Sequence, residues 1–321
     1  MSNDLSVTPA EKQVTGPTTS PASGGASRPG GTQDGGARRR RAGGRAGKGS
    51  RNRPNWGAGV AVTIWLLIVA IPLYVLVTAS FQTQAGYAEG GPLSLPTTFT
   101  LDNFTNAFDQ GFGRYFLNTL VVTVAVVGIV VLLVPPLSYA IVRNRSRATT
   151  GIFRMFLLGL AVPASAVIVP IFYVISVVGL YDNLIGVILP TAAFCLPICT
   201  IILSGSMRDI TNELYEAMAL DGASPRRVFM QLVLPLSKGG VATIVVYSAL
   251  QAWNGFLFPL ILTQSESTKV ITLGLFNFQT QYGVNIPGLL AAVVMSMIPI
   301  LLVYLFARRA LVQGLMGVGG K

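Results

Sequence analysis

The chain contains no histidine, two cysteines and few charges: 11% of its 321 residues are Asp, Glu, Lys or Arg. Without imidazole there is no ordinary proton donor and acceptor near neutral pH and no conventional zinc site. Cys195 and Cys199 lie four apart inside an apolar run, hence on one helix face. With no histidine beside them they read as small apolar residues, not as ligands or a redox pair. The apolar runs also lack ionisable groups near their centres. Ion-coupled transporters ordinarily carry a carboxylate, histidine or lysine there, so a proton relay is disfavoured. A membrane enzyme has no buried carboxylate pair or nucleophile constellation to work with. Gly47-Lys48-Gly49-Ser50 is no phosphate-binding loop, because Ala42 stands where the first glycine is needed and no strand precedes it.

What the chain does have is apolar surface. Hydrophobic residues make up 51% of it and the mean hydropathy is +0.61, which places it in a membrane. Residues 1–56 are the exception, being Gly, Ser, Thr, Pro and Arg with almost no large apolar side chain. Such a segment buries too little surface to offset its ordering entropy, so a disordered basic tail is expected there. Its run Arg38-Arg39-Arg40-Arg41 reads as a solvated cytoplasmic tail, not as a nucleic-acid site. Residues 57–321 then form one all-α membrane domain. Its apolar runs at about 57–79, 115–142, 152–178, 184–205, 241–263 and 287–307 each meet the roughly 20 residues needed to cross about 30 Å of hydrocarbon. Leu101, Phe104 and Phe108 fall at helical spacing between the first two runs, as an interfacial helix or a packed linker.

Charge gives the orientation. With both termini inside, all of the 23 Lys and Arg except Arg114 and Lys269 fall on the cytoplasmic side. An N-in, C-in topology with six transmembrane helices is therefore expected. Proline recurs within the runs, at Pro72, Pro135, Pro136, Pro163, Pro170, Pro190, Pro197, Pro259 and Pro299. Each frees a carbonyl and permits a bend, as mobile helices around a path require. Neutral polar residues at path depth include Asn118, Tyr173, Trp253 and Asn254, types that suit a hydroxyl-rich solute and that also join helices.

One cytoplasmic stretch, residues 211–235, is polar and helix-forming. Thr211 or Asn212 can cap a helix start, and Glu213 and Glu216 fall in its first turn, where the dipole favours carboxylates. Gly222 is the stop, Ser224-Pro225 opens a second helix, and Leu234-Pro235 closes it. Physics alone allows either a plain connector or a helix presented to a partner's groove.

The run Glu216-Ala217-Met218-Ala219-Leu220-Asp221-Gly222-Ala223, followed by Leu234-Pro235-Leu236, resembles the EAA loop of ABC-importer permeases, with methionine where a second alanine is common. The resemblance extends over residues 58–321. It includes Phe116-Leu117-Asn118-Thr119-Leu120, Ser138-Tyr139-Ala140 before Arg143, Gly179-Leu180-Tyr181-Asp182-Asn183, Trp253-Asn254 through Pro259-Leu260, and Gln313-Gly314-Leu315. Together these are similar to the MalG-like permeases of carbohydrate importers, except that Gly255 stands where an acidic residue often follows the Trp-Asn pair.

That resemblance implies a type I importer fold in a bacterial cell membrane and no enzymatic activity or cofactor on this chain. ATP would be bound by a partner pair of cytoplasmic ABC ATPases. A second homologous permease and an extracytoplasmic solute-binding protein would complete the assembly. Glu213, Glu216, Ala217, Asp221 and Gly222 would form the coupling site: Glu216 making polar contacts in the ATPase cleft, Ala217 allowing close approach, Gly222 supplying the turn, and Asp221 pairing locally with Arg226 or Arg227. The solute would be a sugar or oligosaccharide. The alternatives are another solute on the same machinery, or an ion-coupled secondary transporter.

Overall fold

The computed structural model describes residues 56–319 except 145, 281 and 282, with side chains through residue 305 apart from 279 and 280. The tail, residues 1–55, lies outside the described residues. Among the described residues four helices are long and apolar enough to cross a membrane, or up to six spans if each of two bent helix pairs counts as one. The four are α1 (Trp56–Ser80), α4 (Phe112–Arg143), α7 (Leu184–Arg208) and α14 (Ile286–Gly319). Short α2 (Gln84–Gly90) and α3 (Asp102–Asp109) lie between α1 and α4. Helix α3 is a packed element: Ala107 is fully buried, and the Asn103 amide donates to the carbonyls of Ser80 and Gln82 at 2.9 and 2.7 Å. Leu101 is its cap and stands outside the helix.

The third and fifth apolar runs are not straight spans. Residues of the third form α5 (Arg147–Leu160) and α6 (Ala164–Val177), which turn by 108° across Ala161-Val162-Pro163. The fifth begins as α11 (Lys238–Trp253), stops at Asn254-Gly255-Phe256, and restarts as α12 (Leu257–Leu262). The cause in the fifth run is Pro259, whose ring would strike the carbonyl four residues back, that of Gly255, in a continuous helix. That carbonyl turns aside and accepts the Thr272 hydroxyl at 2.7 Å instead. Prolines 72, 135, 136, 170, 190, 197 and 299 remain inside unbroken helices. Proline density alone therefore overstates the bends: the breaks fall beside Pro163 and Pro259.

The core is a seam between α4 and α7. Val122, Val126, Val130, Val134 and Ser138 recur every fourth residue on α4, all at most 2% exposed. They face Ala192, Cys195, Cys199, Leu203 and Met207 of α7. Lipid tails are as apolar as valine, so this seam is held by close packing, not by exclusion from water. The two cysteines are free and buried in it. Ile244 and Ser248 of α11 are also fully buried, and Gly240 lets that helix approach α7. A Cβ at position 240 would lie 2.7 Å from the Ser206 Cβ and 3.0 Å from Leu203.

Gly240→Ala is therefore expected to lower stability by about 1–3 kcal/mol through overpacking. Gly205→Ala, which meets nothing within 4 Å, should be neutral or slightly stabilising. Thermal unfolding of the detergent-solubilised protein distinguishes them.

Candidate functional site

The 211–235 stretch forms α8 (Asn212–Leu220), a glycine corner, and a second helix. Thr211 is the N-cap residue, in extended conformation, and Glu213 sits in the first turn. Gly222 takes φ 68°, the left-handed region that glycine enters freely. Its N–H bonds the Ala219 carbonyl, and the Ala223 N–H reaches back to Met218, each at 3.0 Å. This double closure is the Schellman arrangement, and it fixes the corner. Ser224 then caps the next helix, accepting the Arg227 N–H, with Pro225 as its first residue.

That second helix outlasts its expected end. It runs as α9 (Pro225–Val228), a wide π turn over Phe229–Val233, and α10 (Leu234–Leu236). Pro235 would clash with the Gln231 carbonyl in a tight α turn, and the wider π turn gives the ring room. The helix ends only at Ser237, where the chain turns by 74° into α11.

Glu213, Glu216, Ala217, Asp221 and Gly222, the five coupling candidates, are all exposed on α8 and its corner. Leu220 projects beside them, 90% exposed. Asp221 makes no ion pair with Arg226 or Arg227, contrary to expectation; the Arg227 Nε donates to Gln231 at 2.9 Å instead. Asp221 serves as the C-cap, and the corner is held by backbone bonds. On its inner side α8 buries Tyr215, to 6% exposure, and half-buries Met218. Arg143, the last residue of α4, lays its guanidinium 4.1 Å over the Tyr215 ring and donates to the Asn212 side chain at 3.2 Å. Burial pushes the Tyr215 phenol up, so the ring beneath the cation is neutral.

A second constellation lies at the opposite end of α4. The Asp182 carboxylate accepts the backbone N–H groups of Gln264 and Ser265 at 2.8 and 2.9 Å, the Thr268 hydroxyl at 2.6 Å, and the Ser265 hydroxyl. Its own N–H donates to the Leu262 carbonyl at 2.8 Å. Asp182 reaches this position at φ 56°, left-handed space that aspartate tolerates better than most residues. The donors hold its carboxyl well below the usual carboxylate range, the Gln264 N–H contributing most. The tie fastens the α6–α7 loop to the end of α12. Beside it the Tyr115 hydroxyl donates to Glu266 at 2.5 Å and accepts from Asn277 at 2.8 Å. Lys269 pairs with Glu266 and, with Tyr115, lowers its carboxyl pKa. Asp109, Gln110, Arg114, Tyr115, Glu266 and Asn277 border an open polar cavity of about 530 Å³.

The sequence of residues 136–317 matches the family described as the inner membrane component of binding-protein-dependent transport systems. The chain belongs to this family. It is similar to the diacetylchitobiose uptake system permease protein NgcG of Streptomyces coelicolor, 33% identical over 77% of this chain and 82% of that one. Its similarity to the multiple sugar-binding transport system permease protein MsmG of Streptococcus mutans is 30% identity, over 80% of this chain and 93% of that one. Its fold is similar to a chain of a bacterial ABC transporter that imports the acidic polysaccharide alginate, with a TM-score of 0.71, 22% identity, and coverage of 79% and 95%.

Within this permease the four path candidates divide. Asn118 is committed to the loop after α12, donating to the Ser267 and Lys269 carbonyls at 2.8 Å each. Trp253 is a packing residue, 6% exposed, with its indole N–H on the Ser296 carbonyl at 3.2 Å and its ring edge-on to Phe116. Tyr173 on α6 is 69% exposed. Asn254, exposed at the break in the fifth run, borders a largely apolar cavity of about 580 Å³ with Val246, Leu250 and Tyr304. Arg143 and Asp182 carry more structure than their motifs announced. In the sequence Arg143 counts as one more inner positive charge, and Asp182 as one letter of the Gly179–Asn183 run.

Because the folded Asp182 pKa is depressed, its contribution is fully present above the unfolded value of about 3.9 and is lost only as pH falls through the lower folded value. Protease resistance of residues 263–270 should therefore be the same at about pH 5 as at about pH 7. Asp182→Ala should remove it at both, since it loses the acceptor and strains the left-handed backbone.

Proposed function

We propose that this permease is the membrane-spanning subunit of an ATP-driven importer for a sugar or oligosaccharide. Residues 1–56 form its cytoplasmic tail and 57–321 its transport domain. Both termini face the cytoplasm, so α8 lies on the cytoplasmic side and the Asp182 tie on the other. Its partners are a second homologous permease, a pair of cytoplasmic ABC ATPases that bind and hydrolyse ATP, and an extracytoplasmic binding protein that delivers the solute.

The observation that carries the reading is α8 itself. A short helix with a Schellman-closed C-terminal end stands free of the bundle on one face, displaying two carboxylates, small Ala217 and Ala219, and the nearly naked Leu220. An apolar side chain held rigidly in water beside small residues and charges is the form of a helix made for a partner's groove. The sugar assignment draws on the names of NgcG and MsmG. It accords with described spans whose centres carry no charge, as an uncharged solute permits.

In the proposed cycle ATP closes the ATPase pair around α8. The corner at Gly222 keeps α8 and the following helix at a fixed angle, and the 74° elbow at Ser237 leads that movement into α11. The breaks at Pro163 and Gly255 let the far halves of two spans, α6 and α12, swing apart from their near halves.

The test is co-purification of the tagged permease with its ATPase from membranes. Glu216→Lys and Leu220→Asp should each cut recovered ATPase about tenfold, the effect of ~1.4 kcal/mol of lost binding, while the permease itself stays folded. Unchanged recovery in both variants would remove α8 as the docking element.

A further inference from the structure

Helix α8 touches the bundle through few side chains, and one helix end supplies the grip on both of its limbs. Arg143 covers the Tyr215 ring and bonds Asn212 at the start of α8. One turn earlier on the same face of α4, Tyr139 packs its ring 5.3 Å from that of Phe229, in the π turn of the second limb. No acidic side chain shares the Arg143 contact: among the described residues the one ion pair is Lys269–Glu266, at the far end of α4. The partner of the guanidinium is therefore an aromatic face and an amide, not a carboxylate. The Tyr215 hydroxyl is buried with no hydrogen-bond partner, so the ring and not its oxygen makes the contact.

We propose that Arg143 is the positioning residue that transmits displacement of α8 to α4, acting as a cation–π and hydrogen-bond clamp on Tyr215 and Asn212. The proposal rests on the docking role of α8 given above and adds the route by which its movement enters the core. Helix α4 forms the central seam with α7, so a clamp at its last residue delivers motion to the most tightly packed pair of helices. A guanidinium suits this position, because its plane lies flat on a ring while its edge still donates in-plane hydrogen bonds, which an ammonium does less well. Without the clamp, α8 stays joined to the permease through its two chain ends and the apolar contacts of Tyr215 and Met218, which can slide, and it tilts with less effect on α4.

The experiment uses the complete importer with its ATPases, reconstituted in lipid, and needs no identified solute. A cysteine replaces Val178, which is 64% exposed just past the outer end of α6, and its maleimide labelling is compared without nucleotide and with MgATP plus vanadate. The native Cys195 and Cys199 are at most 2% exposed. Arg143→Met should leave the ATPase bound yet shrink the nucleotide-dependent change in labelling at least about fivefold, equivalent to ~1 kcal/mol of coupling. Hydrogen exchange should rise in residues 212–220 and stay unchanged in α7. Tyr215→Phe should behave as wild type, Tyr215→Leu as Arg143→Met, and the double variant Arg143→Met/Tyr215→Leu no worse than either single change.

A wild-type labelling response in Arg143→Met, or equal damage from Tyr215→Phe and Tyr215→Leu, would overturn the proposal. Should Arg143→Met fail to assemble, the Phe–Leu contrast at Tyr215 decides alone. If the wild-type complex itself shows no nucleotide response, the docking reading fails. The exchange data then still report whether the clamp exists.

Discussion

Hydrocarbon holds no water to take up an orphaned peptide group, and that constraint governs where this bundle can bend. A helix broken in lipid must find internal partners for what it releases. The fifth apolar run shows how this is met. The Asn254 and Gly255 N–H groups close α11 onto Leu250 and Ala252, and the Gly255 carbonyl accepts from Thr272. Thr272 belongs to α13 (Ile271–Gly274), whose first N–H is accepted by the Thr119 hydroxyl of α4. One break thus depends on a short return helix, and that helix depends on an unbroken span. The chain stays helical through Pro135-Pro136.

The division of labour follows. Helices α4 and α7 are continuous, closely packed and lined with valine, cysteine and small hydroxyl residues, so they resist bending. The chain between them, α5–α6, and the α11–α12 pair behind them are jointed. Their far halves are fastened to each other through Asp182, which anchors the end of α6 and the end of α12 to one carboxylate. The carboxylate is satisfied almost entirely by backbone N–H groups and hydroxyls, which places the tie beyond the reach of ordinary changes of pH. It holds geometry and does not sense acidity.

Much of this was legible in the chain, and the parts that were not share a cause. Capping rules located α8, its start at Thr211 and its end at Gly222, because those signals act within four residues. Apolar length found the spans, but it cannot see a break: Pro163 and Pro259 look like Pro190 and Pro197 until the partners of the freed carbonyls are known. The local pairing expected for Asp221 failed for the opposite reason. Neighbouring opposite charges suggest a bond, yet Schellman closure already satisfied the corner, and Arg227 found Gln231 four residues along its own helix. Asn118 and Trp253 have the chemistry of a sugar path. Their amide and indole donors are spent on carbonyls of a loop and of α14, which only the tertiary fold reveals. Arg143 and Tyr215 meet across 72 residues, and no spacing rule pairs them.

The attachment of α8 also explains why its most exposed part lies at the corner. Its chain continues through Asp221-Gly222-Ala223 into a helix that joins α11 at a single residue, Ser237. The two chain ends alone, after α7 and at Ser237, would leave the loop free to hinge about the line joining them. The contacts of Tyr139 with Phe229 and of Arg143 with Tyr215 remove that freedom, because they hold both limbs to the end of one continuous helix. Leu220 and Asp221 then stand exposed at the turn between the two held limbs. In the proposed cycle a push received there reaches α4 through Arg143 and Tyr139 and α11 through Ser237. The proposed docking surface thus lies where both routes into the bundle begin.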